Sequence, residues 1–443
     1  MSIRIYNTLT GKKEEFVPLN PPEVKIYNCG PTVYDYFHVG NARNFVVFDV
    51  IRRYLAYKGY KVKFVQNITA IDDKIINKAK QENITAEEVA KKFTQAYFED
   101  MAGLGVAKPD ESPTATGNID GIKELITTLI SKGFAYELDG DVYFEVAKFK
   151  EYGKLSGKPL DELLSGARVS VDERKRSPLD FALWKASKEG EPSWDSPWGK
   201  GRPGWHIECS VMSMKAHNSE TIDIHGGGID LIFPHHENET AQSEAATEKQ
   251  FVKYWIHNGH LNIRGEKMSK SLGNIMLVRN LLQKYDKGVL RLFLLSAHYR
   301  SPMNFSEADV DKIAEAYKEL CNTIKRIEET QKYEPVELSA LEKDGNACLK
   351  EFCERMDDDF NTAAALGVVF KLANDARIIL SDKNLRDNAV SLKLLNEYHS
   401  LLLGLSKNIL GISIESSDSL PAAVHALFVK RIEARKTKNW KES

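Results

Sequence analysis

The feature that most constrains this chain lies between residues 24 and 69. Val24-Lys25-Ile26-Tyr27 is a short β-prone run that ends in the turn residues Asn28-Cys29-Gly30-Pro31. From Asn41 to Tyr57 the apolar residues Phe45, Val46, Phe48, Ile51, Tyr54 and Leu55 return at helical spacing, and Gly59 stops the run. Lys61 to Thr69 then reads as a second strand. Strand, helix and strand in so short a span imply a right-handed parallel crossover, the building block of a doubly wound sheet. Ligands bind such sheets beyond the carboxyl ends of the strands. The topology alone therefore turns Cys29 to Asn41 and Thr69 to Lys74 toward a site.

One such unit does not exhaust 443 residues, which at ~150 per domain suggest two to four domains. Helical stretches around 83–103 and 118–132 precede a hairpin at 135–146, with Asp139-Gly140 at its tip. Residues 186–204, rich in Gly, Pro and Trp, read as an ordered loop. The strand-like Thr221–His225 meets Gly226-Gly227-Gly228, and a helical pattern resumes near Pro234. The 100–200 region thus looks like an insertion between two halves of one fold. Beyond about 305, amphipathic helical patterns cover 306–330, 339–356, 359–381, 386–409 and 422–441. The expected architecture is α/β: a doubly wound parallel, Rossmann-type sheet with an inserted subdomain, followed by an all-α C-terminal helix bundle. Its expected divisions are a first catalytic half (1–105), an inserted subdomain (106–200), a second half (201–262), a linking subdomain (263–305) and a helical domain (306–443).

Composition limits the partners. Lys and Arg number 61 against 63 Asp and Glu, so a polyanion must meet a local basic surface rather than a polycationic molecule. No apolar run approaches the ~20 residues that span a bilayer, and the N-terminus lacks a signal-peptide core. A cytoplasmic protein with no membrane partner, and a monomer, is the expectation. Five cysteines are few and odd in number, which argues against a disulfide framework.

Two clusters carry chemistry. In His235-His236-Glu237-Asn238-Glu239, which follows Pro234 at a helix start, His235 and Glu239 stand four apart and share a helix face. His236 and Glu239, three apart, are the weaker pairing. Cys29 at a strand end and Cys209 in GWHIECS would complete a Cys, Cys, His, Glu set for a borderline-soft ion, which points to Zn²⁺. Either thiol can equally serve as a small buried hydrophobe, the reading preferred for Cys321, Cys348 and Cys353. The second cluster handles phosphate. His38-Val39-Gly40-Asn41 lies where the first helix begins, and helix N-termini receive anions. Lys267-Met268-Ser269-Lys270-Ser271-Leu272-Gly273-Asn274 offers cations and hydroxyls in a Gly-bounded loop suited to a triphosphate. A capped loop and a solvated basic turn are the bland alternatives.

Together HVGN and KMSKS resemble the two signatures of class I aminoacyl-tRNA synthetases, and the chain is similar within that class to the cysteinyl-tRNA synthetase family. The stretches that carry the resemblance are YNCGPTVYDYFHVGNAR, NITAIDDKI, GWHIECS, DIHGGG, FPHHENE, GEKMSKSLGN and MDDDFNTAAAL. The resemblance implies an ATP-dependent ligase that turns L-cysteine into cysteinyl-adenylate and passes it to the terminal adenosine of tRNA-Cys, with Mg²⁺ accompanying ATP. It places the zinc ligands on Cys29, Cys209, His235 and Glu239, and the phosphate-contacting lysine on Lys270 with Lys267 nearby. His38 and Asn41 occupy the first signature, whose general class I form ends in His; with Lys267 and Lys270 they are the expected catalytic residues.

ATP is expected on His38, Gly40, Asn41, Gly228, Asp230 and Lys270, with Asp230 on the ribose by analogy with other doubly wound sites. Thr69, Trp205 and His225, with His206 beside them, are candidates for the amino-acid pocket, although each also suits a packed core position. Zinc would separate a thiol from a hydroxyl, near-isosteres that a plain pocket distinguishes by only ~10²-fold. The stretch from Val424 to Lys441 carries six Lys and Arg residues and Trp440, a candidate tRNA surface. Family members usually run on past this helix, so tRNA affinity is expected to suffer while activation survives. The rival readings are a cysteine-activating ligase acting on a small amino sugar, a zinc hydrolase and a non-catalytic RNA-binding module. HHENE lacks the HExxH order of a hydrolase.

Overall fold

A computed structural model describes residues 2–159, 162, 174–263, 266–267, 276–330, 336–386 and 388–414, with the backbone alone for 266–267. Its centre is a parallel sheet of β3 (Glu23–Asn28), β4 (Lys61–Gln66), β9 (Ile222–Gly228) and β10 (Val252–Asn258), in the order β10-β9-β3-β4. The chain leaves β3 for β4 on one side and returns to β9 on the other. The order reverses between β3 and β9, which is where a doubly wound sheet opens a ligand crevice. Register fixes what faces that crevice: Tyr27 lies opposite His225 and Val65, and Asn28 opposite Gly226 and Gln66.

Helix α1 (Val39–Tyr57) crosses from β3 to β4 and is buried along most of its length. It is covered by the sheet on one side and by the helix Lys287–Leu295 on the other, so charged residues inside it, Arg43 and Asp49, are buried as well. The close approach of α1 also explains why β9 runs on through its glycines, where the sequence suggested a strand ending at His225. A Cβ at Gly226 would collide with the Phe48 ring and lie 2.7 Å from the Ile256 carbonyl.

The insertion is a four-stranded antiparallel sheet of β5 (Ala135–Leu138), β6 (Asp141–Phe144), β7 (Phe181–Ala186) and β8 (Gly201–Pro203), with the Asp139-Gly140 turn in its first hairpin. A smaller sheet joins β11 (Leu261–Ile263) to β12 (Glu266–Lys267) and β13 (Met303–Phe305). An N-terminal hairpin, β1 (Arg4–Asn7) and β2 (Lys12–Glu15), packs at the edge beside β10. Neither of these two elements was expected.

Beyond β13 every regular element among the described residues is helical. The helix expected at 339–356 divides into Leu338–Lys343 and Ala347–Asp357, because Asn346 caps the second, accepting from the Cys348 and Leu349 N–H groups at 3.0 and 3.2 Å. The helix Asp73–Glu82 was not anticipated; Asp72 caps it and Ile75, Ile76 and Ala79 bury its inner face. Cys321, Cys348 and Cys353 pack partly buried against the helical core, as expected. The 422–441 stretch with Trp440 lies outside the described residues. No helix among those residues is long and apolar enough to cross a membrane.

Candidate active site

The four candidate ligands, two sulfurs, a nitrogen and an oxygen, meet at the crevice. Cys29 is the first residue after β3, and its N–H still donates to the Gly226 carbonyl at 3.0 Å, which locks it to the sheet. Cys209 projects from the helix Trp205–His217, His235 from the tight turn Ile232–His236, and Glu239 from the helix Glu237–Thr247. Their ligand atoms all lie within 4.8 Å of one another and all four side chains are buried. The i,i+4 pairing is real: His235 Nε2 stands 2.9 Å from Glu239 Oε1.

Supporting contacts fix these groups. Glu239 Oε2 takes the His225 Nε2 at 2.9 Å, so the carboxylate is gripped through both oxygens. His235 Nδ1 lies 2.9 Å from His206 Nδ1, and the Trp205 ring stacks on the His235 ring with centroids 4.0 Å apart. His236 Nε2 reaches Cys29 Sγ at 3.3 Å, while its Nδ1 meets His257 Nε2 at 2.8 Å, and His257 Nδ1 meets Thr8 Oγ1 at 2.8 Å.

Electrostatics follow from this packing. Burial works against ionising Glu239, yet His225 and His235 hold its pKa down to about 2. The hydrogen bond from Cys29 draws the Cys209 pKa down to about 6, whereas burial and the Cys209 neighbour push Cys29 well above the thiol range. Burial opposes protonation of His235, but Glu239 and Cys209 raise its pKa to about 10. The pocket thus concentrates anionic ligand atoms where water is excluded. Two sulfurs, an imidazole and a carboxylate at this separation are the donor set of a borderline-soft ion, and the residues fit zinc.

The first signature opens α1, whose Asn44 Nδ2 donates to Asn28 Oδ1, next to Cys29, at 3.3 Å. His38 caps α1: its Nδ1 accepts from the Asn41 N–H and its own N–H donates to Asn41 Oδ1, both at 3.4 Å. The segment just after KMSKS runs against this turn, with Val39 N–H on the Met276 carbonyl at 2.9 Å and Val278 N–H on the Phe37 carbonyl at 3.2 Å. The flanks of the two signatures are therefore neighbours. Lys270 and the Lys267 side chain lie outside the described residues. Gly228 ends β9, and the exposed Asp230 follows it closely enough that a Cβ on Gly228 would lie 2.6 Å from the Asp230 Oδ1.

Comparison with known proteins matches residues 15–315 to the tRNA synthetases class I (C) catalytic domain and residues 351–415 to the DALR domain. The chain is 51% identical to a cysteine-tRNA ligase of Geobacillus sp. (strain WCH70), over 99% of this chain and 93% of that protein. The chain belongs to the cysteine-tRNA ligase family. A second cysteine-tRNA ligase, from Thermodesulfovibrio yellowstonii, is 51% identical over 100% of this chain and 94% of its own length.

More distant structures share the fold. Mycobacterium tuberculosis methionyl-tRNA synthetase in complex with methionyl-adenylate matches at a TM-score of 0.62 and 16% identity, covering 88% of this chain and 90% of that one. The LeuRS of an Agrobacterium radiobacter K84 complex with tRNA and LeuAMS matches at 0.64 and 11% identity, covering 89% and 85%.

Within this cysteine-tRNA ligase fold the other expected residues fall in two groups. Trp205, 37% exposed, forms a wall beside His235 that is open to solvent. Thr69 is buried, accepting from Asn67 Nδ2 at 3.2 Å while its carbonyl takes the Val33 N–H, so it holds the loops after β3 and β4 together. His225 is fully buried between the Trp255 ring and Glu239. Sequence reasoning ranked His236 below His235 as a partner of Glu239 and missed His257; His236 belongs to a second set of close ligand atoms, Cys29, His225, His236 and Glu239. Cross-strand register reveals His257, through the pairing of Trp255 with His225 and of His257 with Gly227.

His225→Gln is expected to leave the fold intact and to weaken metal affinity about 10–100-fold, the usual cost of losing a residue that orients a ligand. Chelator competition measures this, and an unchanged affinity would show that Glu239 is oriented by His235 alone.

Proposed function

We propose that the chain activates L-cysteine with ATP and transfers it to the 3′ end of tRNA-Cys, using one zinc ion per chain and Mg²⁺ with the nucleotide. The observation that carries this reading is the meeting of Cys29, Cys209, His235 and Glu239 at the β3/β9 switch point, where Asn28, next to Cys29, accepts from Asn44 Nδ2 in the first half of α1 at 3.3 Å. Those four residues would hold the zinc, which when bound supplies a soft Lewis acid that retains a thiolate far better than a hydroxyl.

The remaining work belongs to the chain's own groups. The N-terminus of α1, with Gly40 and Asn41 in its first turn and His38 as its cap, offers partial positive charge to the ATP phosphates. Lys270, with Lys267, is assigned by motif to the phosphates from which pyrophosphate departs. Gly228 ends β9 and Asp230 follows it, on the side proposed for adenosine. Trp205 would wall the amino-acid pocket, and Thr69 would shape its floor through the loops it ties. His225 is assigned to Glu239, because its Nε2 lies 2.9 Å from the Glu239 carboxylate and its ring stacks on Trp255. The helical region from 306 is proposed to meet the tRNA, and relatives named as tRNA ligases along the whole chain favour that acceptor over an amino sugar.

The test is cysteine-dependent ATP–pyrophosphate exchange before and after chelation. Exchange that requires metal and ignores serine is expected; metal-stripped protein that still activates cysteine and rejects serine would overturn the reading.

A further inference from the structure

The segment Met356-Asp357-Asp358-Asp359-Phe360 joins the helices Ala347–Asp357 and Thr362–Ser381 and takes no part in the chemistry above. Asp359 and Phe360 stand at φ +65 and +49. Bulky residues rarely enter that region, and such strain persists where the surroundings over-determine it and clusters at functional places. The surroundings here do so. Asp359 is fully buried, and its Oδ1 accepts from the Tyr6 N–H at 2.9 Å and the Tyr299 hydroxyl at 2.7 Å. Its Oδ2 takes Arg300 Nε at 2.7 Å, and its own N–H donates to the Arg4 carbonyl at 2.8 Å.

The partners of Asp359 lead directly to both nucleotide signatures. The Tyr299 carbonyl accepts the Gly259 N–H at 2.8 Å, and the His298 carbonyl accepts Arg43 Nη2 at 3.0 Å. Arg43 Nη1 also binds the Gly259 carbonyl at 2.9 Å. Arg43 sits two residues beyond Asn41 in the buried start of α1, and Gly259 leads from β10 into β11 and so toward KMSKS. A carboxylate of the helical region therefore fixes the short segment on which the supports of both signatures rest.

We infer that Asp359 is a positioning residue for adenylate formation, acting through His298–Arg300, and not merely a joint that seats the helical region for tRNA. The inference rests on the proposed function and extends it. The neighbouring carboxylates provide a contrast: Asp357 binds the Tyr54 hydroxyl at 2.7 Å and Lys58 at 3.2 Å on the far half of α1, and Asp358 binds Lys13 on the outer hairpin at 2.6 Å.

The experiment is cysteine-dependent exchange by the full chain, with rates expressed per active site counted from the adenylate burst. Asp359→Asn tolerates the left-handed backbone but gives up the ion pair with Arg300. Its kcat per site is expected to fall about 10- to 10²-fold, the range of a misplaced reacting group. The KM for cysteine and the zinc content should stay unchanged. Arg300→Met should act in the same way, and the double variant should be no worse than the single ones. Asp358→Asn should leave every parameter unchanged. Should Asp359→Asn fail to fold, Tyr299→Phe removes one hydroxyl from the same carboxylate and should lower the same parameter. An unchanged rate per site, a loss confined to tRNA transfer, or an equal loss in Asp358→Asn overturns the inference. If the unmodified chain shows no cysteine-dependent exchange, the proposed function falls first and this inference with it.

Discussion

Cys209→Ser is expected to lose its metal and to lower cysteine-dependent exchange by more than about 10²-fold, the limit reached when only a supporting residue is removed. A serine hydroxyl stays protonated where the Cys209 thiol, with a pKa drawn down to about 6 by Cys29, already ionises near neutrality. The substitution therefore removes an anionic ligand and leaves the rest of the pocket in place. Residual selectivity for cysteine over serine should then shrink to what shape alone provides, about 10²-fold or less. Metal content by atomic absorption and exchange with the two amino acids measure both effects. A variant that keeps a full complement of metal and its discrimination would remove Cys209 from the site.

The same cluster sets a pH dependence for metal uptake. His235, raised to about 10, and Cys29, raised well above the thiol range, hold protons at neutral pH in the metal-free pocket. Both atoms must release them to bind a cation, so uptake should liberate protons and tighten as the pH rises. Affinity should weaken as pH falls through about 6, where Cys209 takes up its own proton. Zinc uptake without proton release, or with an affinity independent of pH, would contradict this assignment of charge.

What could be seen in the sequence was what local spacing encodes. The β3–α1–β4 crossover followed from two β-prone runs and a 3.6-residue pattern, and it placed Cys29 at a strand end. His235 and Glu239 were paired by helical geometry, and Cys209 by its chemistry and the family resemblance. What escaped depends on neighbours distant in sequence. His225 is a pocket candidate because it lies beside the motifs, and its 2.9 Å contact with Glu239 comes from strand order alone. His257 and Thr8 join the site only because β10 lies beside β9 and the N-terminal hairpin packs on β10. Nothing in the spacing of α1 marks Arg43 and Asp49 as buried; Arg43 is held by the Gly259, His260 and His298 carbonyls, and Asp49 by Arg291 and the Ala107 N–H. Close approach, as at Gly226, has no local signature at all.

Asp49→Ala is expected to cost about 3–5 kcal/mol of stability, because it strands a buried guanidinium. Arg291 is fully buried, and its Nη2 reaches Asp49 Oδ2 at 2.7 Å and the Leu410 carbonyl at 2.9 Å. Asp49 Oδ2 also takes Arg53 Nε at 2.8 Å, and its Oδ1 accepts the Ala107 N–H at 3.1 Å. One ion pair thus ties α1, the start of the insertion, the helix Lys287–Leu295 and the end of the described helical region. The expected loss is a large share of the ~5–15 kcal/mol that holds a domain folded. The net worth of the pair is a separate matter, since the cost of desolvating both charges offsets their attraction. Asp49→Leu combined with Arg291→Met should therefore recover most of the loss, and urea unfolding of the single and double variants measures it.

The acid limb supplies an independent check. Burial pushes the Asp49 carboxyl up, but Arg291 and Arg53 overcome it and hold its pKa below the usual range. A carboxylate depressed in the folded state stabilises fully above its unfolded pKa of ~3.9, and that contribution disappears as pH falls through the folded value. Stability of the unmodified chain should fall more steeply below about pH 4 than that of the double variant, whose pair has nothing to protonate. Parallel acid limbs, or a double variant as unstable as Asp49→Ala, would mean that the shape of these side chains, and not their charge, holds the four elements together.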